Sequence, residues 1–131
     1  MRWLAKLFQP RKPTPYERQM IFAEAQAISV QVDDSLQRVP FAAITKITTY
    51  KRDLGTTDMI CLLLDVEGQG EWEINEEMIG YADVVRHLEA ALGGFPAGWW
   101  SRVAHPAFAT NEAVLYQRGA DAPSWRPVVL P

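Results

Sequence analysis

The segment from Ile44 to Gly94 constrains the fold more than any other part of the chain. It contains three runs with the composition of β-strands, followed by one amphipathic helix. The run from Met59 to Val66 is apolar at each of its first six positions, a pattern typical of a strand that is covered on both faces. This run therefore predicts the central strand of a buried sheet.

The helix is predicted by apolar residues that recur three and four positions apart. The residues of this expected buried face are Tyr81, Val84, Val85, Leu88, Ala91 and Leu92. The pair Gly93-Gly94 follows them, and glycine often takes the left-handed conformation just after a helix. Glu76 and Glu77 lie before the helix or in its first turn, where the helix dipole favours negative charge.

The residues before Ile44 predict a helix and then a hairpin. Residues Tyr16–Ala27 favour a helix by propensity. Residues Ile28–Val32 alternate between apolar and polar, which indicates a strand. Asp33-Asp34-Ser35 supplies turn-forming side chains, and a second short strand is expected at Leu36–Val39. Near the other end of the chain, residues Asn111–Arg118 are a candidate final strand.

Charge is distributed unevenly along the chain. Residues 1–18 carry a net charge of +4, and the remaining 113 residues carry −7. An acidic body disfavours nucleic acid as a partner, because binding to phosphates is driven by Lys and Arg. As a helix, the first residues would place apolar side chains on one side with basic ones beside them. The candidate membrane-contacting residues are Arg2, Trp3, Lys6, Leu7, Arg11 and Lys12; the alternative is a disordered or locally docked terminus.

The composition favours a cytoplasmic protein, either free or peripheral at the inner face of the membrane. No run of residues approaches the roughly 18 to 20 apolar positions that a membrane-spanning helix needs. Lys6 interrupts the apolar stretch at the start of the chain, and prolines follow it, so an export signal is not expected. The single cysteine, Cys61, lies inside an apolar run and predicts a buried, reduced thiol.

No recognised catalytic or metal-binding pattern is present in the sequence, so we expect no enzyme, no cofactor and no metal. The lone Gly-x-Gly motif at Gly68 and Gly70 precedes a strand, and a phosphate loop would precede a helix. His87 and His105 have no partner nucleophile in a recognisable context. If the protein were an enzyme, the candidate site would be Lys51 and Arg52 with residues Thr56–Asp58.

Aromatic residues are concentrated after the predicted helix. Four candidate partner-binding residues lie there: Phe95, Trp99, Trp100 and Phe108. Such side chains usually cover a core, but a tandem tryptophan pair leaves one ring to face outward, where a partner can use it. The proline-rich residues 119–131, with Trp125, form a separate C-terminal tail.

Several short segments together resemble a known family. They are Lys51–Leu62, Trp72–Ile74, Glu76-Glu77, the helix around Leu88, Gly93-Gly94 and Pro106–Asn111. In these segments the chain is similar to a family of small bacterial proteins of unknown function with a pleckstrin-homology-like (PH-like) fold. The resemblance covers residues 28 to about 117. It implies a curved antiparallel sheet capped by a C-terminal helix, and it implies no catalytic residues.

The prediction is therefore an α+β fold with a strongly bent antiparallel sheet or partial barrel. An amphipathic C-terminal helix caps this PH-like sheet, and an aromatic-rich extension follows. The expected organisation is a basic, proline-rich tail at 1–18, one domain at 19–118 and a proline-rich tail at 119–131. The expected function is that of a non-enzymatic protein-interaction or adaptor module with a protein partner. The alternatives are a peripheral membrane protein, recruited by its N-terminus, and an enzyme of unknown reaction.

Overall fold

A computed structural model of the chain describes residues 19–32, 34–93, 95–105 and 111–119. Within these ranges the chain forms seven β-strands, two α-helices and one short 3-10 helix. In chain order the elements are β1 (Gln19–Ala23), β2 (Ala27–Val32), β3 (Ser35–Pro40), the 3-10 helix (Phe41–Ala43), β4 (Ile44–Asp53), β5 (Asp58–Val66), β6 (Gly70–Asn75), α1 (Tyr81–Ala91), α2 (Trp99–Ala104) and β7 (Ala113–Gln117).

The strands form two antiparallel sheets, which confirms the predicted α+β class. The first sheet has the strand order β1-β2-β3, and the second has the order β6-β5-β4-β7. The chain passes from one sheet to the other at Pro40 and the 3-10 helix; proline has no N–H with which to extend a strand ladder. The arrangement is thus two sheets that do not close into a barrel, in place of one bent sheet.

The helix predicted over Tyr16–Ala27 is wrong in its described part, because Gln19–Ala23 is strand β1. This strand pairs with β2 along its whole length. On its other side, the Ile21 amide donates to the Ile79 carbonyl at 2.9 Å, and the Ile79 amide donates to the Gln19 carbonyl at 3.3 Å. Pairing on both sides outweighs the modest helix propensity of these residues.

The strands predicted by alternation and by continuous apolar runs are confirmed. Strand β5 lies between β4 and β6, and it is buried on both faces, with Cys61 and Leu62 each fully inaccessible. Strands β2, β3 and β7 also form where the pattern placed them. A strand whose two faces are both covered reads as a continuous apolar run, because neither face is left to polar residues.

Helix α1 buries most of the face that its periodicity predicts. Tyr81, Val84, Val85 and Leu88 are buried. Ala91 is exposed, so its predicted burial is wrong; it is the last residue of the helix. Gly93 follows with φ +92°, the expected left-handed conformation. The amphipathic helix that caps the sheet was expected at the C-terminal end of the fold. In the structure α1 is followed by α2 and then by β7, which pairs with β4.

One hydrophobic core joins all of these elements. Its buried residues come from both sheets, from both α-helices and from the 3-10 helix. The core includes Ile28 and Val39 from the first sheet and Leu62 and Ile74 from the second. The helices and the two sheets therefore share a single interior, and the surface between α1 and α2 lies at its edge.

Candidate functional site

A groove of about 600 Å³ lies beside α1 and the start of α2. Its lining residues are Glu76, Met78, Gly80, Tyr81, Ala82, Asp83, Val85, Glu89, Trp99 and Trp100. Three of these side chains are carboxylates and three are aromatic, and among them there is no Lys or Arg. The groove thus combines three aromatic side chains with three carboxylates.

The tandem tryptophans occupy the first two positions of α2. Successive residues of a helix point about 100° apart, so the two rings face different environments. Trp99 is only 6% exposed and packs edge-to-face on Phe95, with ring centroids 5.8 Å apart and planes at 76°. Trp100 is 49% exposed. The expectation that one ring of the pair faces outward is therefore confirmed for Trp100.

Glu76 links the groove to the second sheet. One of its carboxylate oxygens accepts a hydrogen bond from the backbone amide of Ile60 at 2.9 Å. The other accepts a long hydrogen bond of 3.4 Å from the Trp100 indole N–H. The sequence pattern places this glutamate before the helix or in its first turn, and it does not predict the contact with Trp100. The local sequence carries no signal for this contact, because the two residues lie 24 positions apart.

Tyr81 contributes a buried hydroxyl next to the acidic side chains. The residue is 9% exposed, and its hydroxyl oxygen has no hydrogen-bond partner among the described residues. Burial, and then the negative charge of Glu76, raise the pKa of the Tyr81 phenol above its usual value. The side chain therefore stays neutral and keeps its proton as a donor across the physiological pH range.

A buried lysine holds α2 against the second sheet. The Lys51 ammonium donates to the carbonyl of Ala104, the last residue of α2, at 2.8 Å. It also lies 3.3 Å from a carboxylate oxygen of Asp58, and the Lys51 side chain is only 1% exposed. A cation at a helix C-terminus interacts favourably with the helix dipole. This contact fixes the helix that carries the two tryptophans.

The residues of the candidate enzymatic site are only partly brought together in the structure. Lys51 and Asp58 form the ion pair just described, whereas Arg52 points to the opposite face of β4 and pairs with Glu73 at 2.6 Å. Glu73 also accepts a hydrogen bond from the Tyr50 hydroxyl. Burial, and then this bond, raise the pKa of Tyr50 above its usual value. The contacts among these side chains connect β4 to β5 and to β6.

Other reactive side chains are either buried or turned to backbone groups. Cys61 is fully buried, as predicted, and burial raises the pKa of its thiol to about 12. Nδ1 of His87 lies 2.8 Å from the carbonyl of Asp83, and Nδ1 of His105 lies 3.0 Å from the carbonyl of Ser101. In the described ranges, no group of three or more His, Cys, Asp or Glu side chains could hold a metal ion.

Several predicted site residues lie outside the described residues. These are Phe108 and the candidate membrane-contacting residues Arg2, Trp3, Lys6, Leu7, Arg11 and Lys12. Of the four candidate partner-binding residues, the structure brings together Phe95, Trp99 and Trp100. In the part of the chain that the structure describes, no helix is long and apolar enough to cross a membrane.

Comparison with protein-family models, with curated proteins and with solved structures finds no match to this chain. The PH-like resemblance and the bacterial origin that it implies therefore stay predictions. What supports a function is the groove itself, which is lined by the half-exposed Trp100 indole, by the Glu76 carboxylate that accepts from it, and by buried Trp99.

Proposed function

We propose that the chain is a non-enzymatic protein-interaction module and that its binding surface is the groove around Trp100. The observation that carries this proposal is the half-exposed Trp100 indole, which donates to Glu76 in a groove that buried Trp99 also lines. Tryptophan supplies a large apolar area together with one polar donor, and it is enriched among the residues that dominate binding energy in protein interfaces.

The surroundings of Trp100 reduce its freedom before any partner arrives. The indole N–H is engaged by Glu76, and the helix that carries the ring is held at its other end by Lys51. Preorganisation of a contact residue lowers the entropy cost of binding. A ring that already has a hydrogen-bond partner and is still 49% exposed is better suited to partner binding than a mobile surface side chain.

We also infer that the domain is related to the PH-like family. The two antiparallel sheets and the amphipathic helix α1 support this relationship. Strand β7, which follows the helix and joins the second sheet, is an addition to the arrangement that the resemblance implies. An experimental structure compared with members of that family tests the inference, and a different strand connectivity in the shared region would contradict it.

Site-specific photocrosslinking in cells tests the interaction proposal. A photoreactive residue replaces Ala82, an exposed residue that lines the groove. In the control it replaces Leu36, which is 64% exposed on β3 of the other sheet. We expect a discrete adduct from position 82 alone, reduced at least fivefold by Trp100→Ala. Absence of an adduct, or the same adducts from both positions, would contradict the proposal.

A second candidate function is recruitment to an anionic membrane through residues 1–12. Their basic charge without an acidic companion supports it, because Arg2, Lys6, Arg11 and Lys12 are the only charged residues there. Flotation with anionic vesicles at low salt should succeed for the full chain and fail when these four residues are replaced by Gln. Flotation that is insensitive to salt, or equal with neutral vesicles, would contradict an electrostatic mechanism.

A further inference from the structure

We propose that the groove recognises a positively charged side chain, Arg or Lys, on a segment of the partner protein. This inference rests on the proposed interaction function and names the chemistry of the partner. The carboxylates of Glu76, Asp83 and Glu89 line the groove, and none of the described residues that line it is basic. Complementary charge is what orients and selects a partner at such a surface.

The negative charge of Glu76 is not neutralised by a cation among the described residues. Its two oxygens accept from the Ile60 amide and from the Trp100 indole, and both of these donors are neutral. Asp83 does pair with Arg86 at 2.7 Å, but the two side chains are 52% and 73% exposed. Exposed pairs of this kind are weak and exchange readily. The groove therefore keeps a charge that a ligand cation can satisfy.

The aromatic residues of the groove, like its carboxylates, are suited to binding a cation. A guanidinium or ammonium group is attracted to the face of an aromatic ring, and tryptophan is the best such partner. The edge of the Trp100 indole is turned to Glu76 by the N–H bond, so a ligand stacked on the ring face would also lie near that carboxylate. Arginine is particularly suited, because its planar group can stack on a ring and bind a carboxylate at once.

Other ligand chemistries fit the groove less well. An anionic group would approach three carboxylates, and none of the described lining residues is a base that could offset the repulsion. A purely apolar segment would bury the Glu76 carboxylate without a counter-charge, which is costly. The Tyr81 side chain also lines the groove, and its buried hydroxyl has no hydrogen-bond partner among the described residues.

Titration of the full chain with blocked tripeptides tests this proposal. The probes are acetylated and amidated Gly-Arg-Gly, Gly-Lys-Gly, Gly-Gln-Gly and Gly-Glu-Gly. The reporter is the indole N–H resonance of Trp100 in a ¹⁵N–¹H NMR spectrum, assigned by its loss in Trp100→Phe. We expect saturable shifts with the Arg and Lys peptides, at an affinity at least fivefold above that for the Gln peptide. Equal binding of the Arg, Gln and Glu peptides would overturn the proposal.

Matched carboxylate variants locate the charge that matters. Glu76→Gln should weaken binding of the Arg peptide at least fivefold. Glu71→Gln, an exposed position near the start of β6, makes the same change in net charge and should leave the affinity unchanged. Asp83→Asn is the second test, since Glu76 also bonds the backbone of β5 and its loss can disturb the fold. Equal effects at positions 71, 76 and 83 would overturn the assignment to the groove.

The two proposals can fail separately. A crosslink from position 82 together with no preference for basic peptides would leave the interaction function in place and overturn the cation inference. A full chain in which Arg2, Lys6, Arg11 and Lys12 are replaced by Gln distinguishes the partner from the chain's own basic terminus. If this variant binds the Arg peptide at least fivefold more tightly than the wild type, the terminus is the occupant, and the assignment to a partner is overturned.

Discussion

Gly80 is the residue at which strand β1, helix α1 and the groove meet. Its φ is +95°, and a Cβ atom at this position would lie 2.1 Å from the backbone carbonyl oxygen of Ile21. Gly80 is also the residue that directly precedes α1. Glycine alone tolerates both the left-handed conformation and this close approach. The position therefore fixes how the start of α1 sits against the first sheet.

Gly80→Ala should destabilise the protein by more than the backbone conformation alone, which costs about 1–3 kcal/mol for such a residue. The added Cβ forces Ile21 and α1 apart, because the contacting atom belongs to the backbone. The measurement is the free energy of unfolding in urea. Gly55→Ala is the matched control, with φ +94° and no atom within 4 Å of the new Cβ. Equal losses for the two variants would show that the close approach is unimportant.

Cys61 should resist alkylation while the protein is folded. The residue is fully buried, and burial raises its thiol pKa to about 12, whereas the thiolate is the reactive species. We expect labelling by iodoacetamide at pH 8 to be at least a hundredfold slower in buffer than in concentrated urea, as followed by mass spectrometry. Equal labelling rates in the two conditions would contradict the burial of this strand.

At the scale of elements, Glu24 ties the three strands of the first sheet together. It lies in the turn between β1 and β2, where its carboxylate accepts from the Ser29 hydroxyl at 2.9 Å and from Arg38 on β3 at 3.1 Å. The hydrogen bond from Ser29, and then that from Arg38, lower the pKa of Glu24. The charged form is therefore favoured more in the folded protein than in the unfolded chain.

This difference has a definite sign with pH. A carboxyl whose folded pKa is lowered stabilises the fold above its ordinary value of 4.5, and this contribution is lost as pH falls through the folded value. Glu24→Gln should therefore show a smaller fall in the urea midpoint between pH 6 and pH 3 than the wild type. Arg38→Gln removes the second bond and should reproduce part of that effect. An unchanged pH profile in both variants would contradict this role.

Helix α2 should depend on Lys51 for its position. Lys51→Met removes the bond to the Ala104 carbonyl and leaves Asp58, whose side chain is 15% exposed, without this counter-charge. Breaking a buried pair from one side costs about 3–5 kcal/mol. We expect a loss near the lower end of that range, with a shifted Trp100 indole resonance. Adding Asp58→Leu should recover part of the stability, and Lys46→Met on the same strand should have little effect.

Elements with a strong repeating pattern could be predicted from the sequence, and contacts made across the fold could not. Strand β5 and helix α1 have patterns that report burial directly. Strand β1 carries residues that favour a helix, and its state is decided by pairing with β2 and Ile79, which the local sequence does not encode. That one ring of the tryptophan pair faces outward was expected from the tandem pair itself, whereas the contact of Glu76 with Trp100 joins residues 24 positions apart.

At the scale of the whole molecule, two sheets that share no strand pairing are held together by one core. Leu88 of α1 is fully buried in this core, which also contains Ile28 from the first sheet and Leu62 from the second. Neither sheet can bury its inner face without the other. The described part of the chain should therefore unfold as one cooperative unit, although its sheets are topologically separate.

Leu88→Ala tests this cooperativity. Removing a fully buried leucine side chain costs about 2–5 kcal/mol, from lost burial and from the cavity left behind. Because the core is shared, the urea transition followed by tryptophan fluorescence and the one followed by far-ultraviolet circular dichroism should move together to the same lower midpoint. Leu36→Ala, at a position 64% exposed, should change the free energy of unfolding by less than about 0.5 kcal/mol. If the fluorescence transition moved while part of the dichroism signal kept its wild-type midpoint, the sheets would be separate folding units, and the groove would depend on the second sheet and its helices alone.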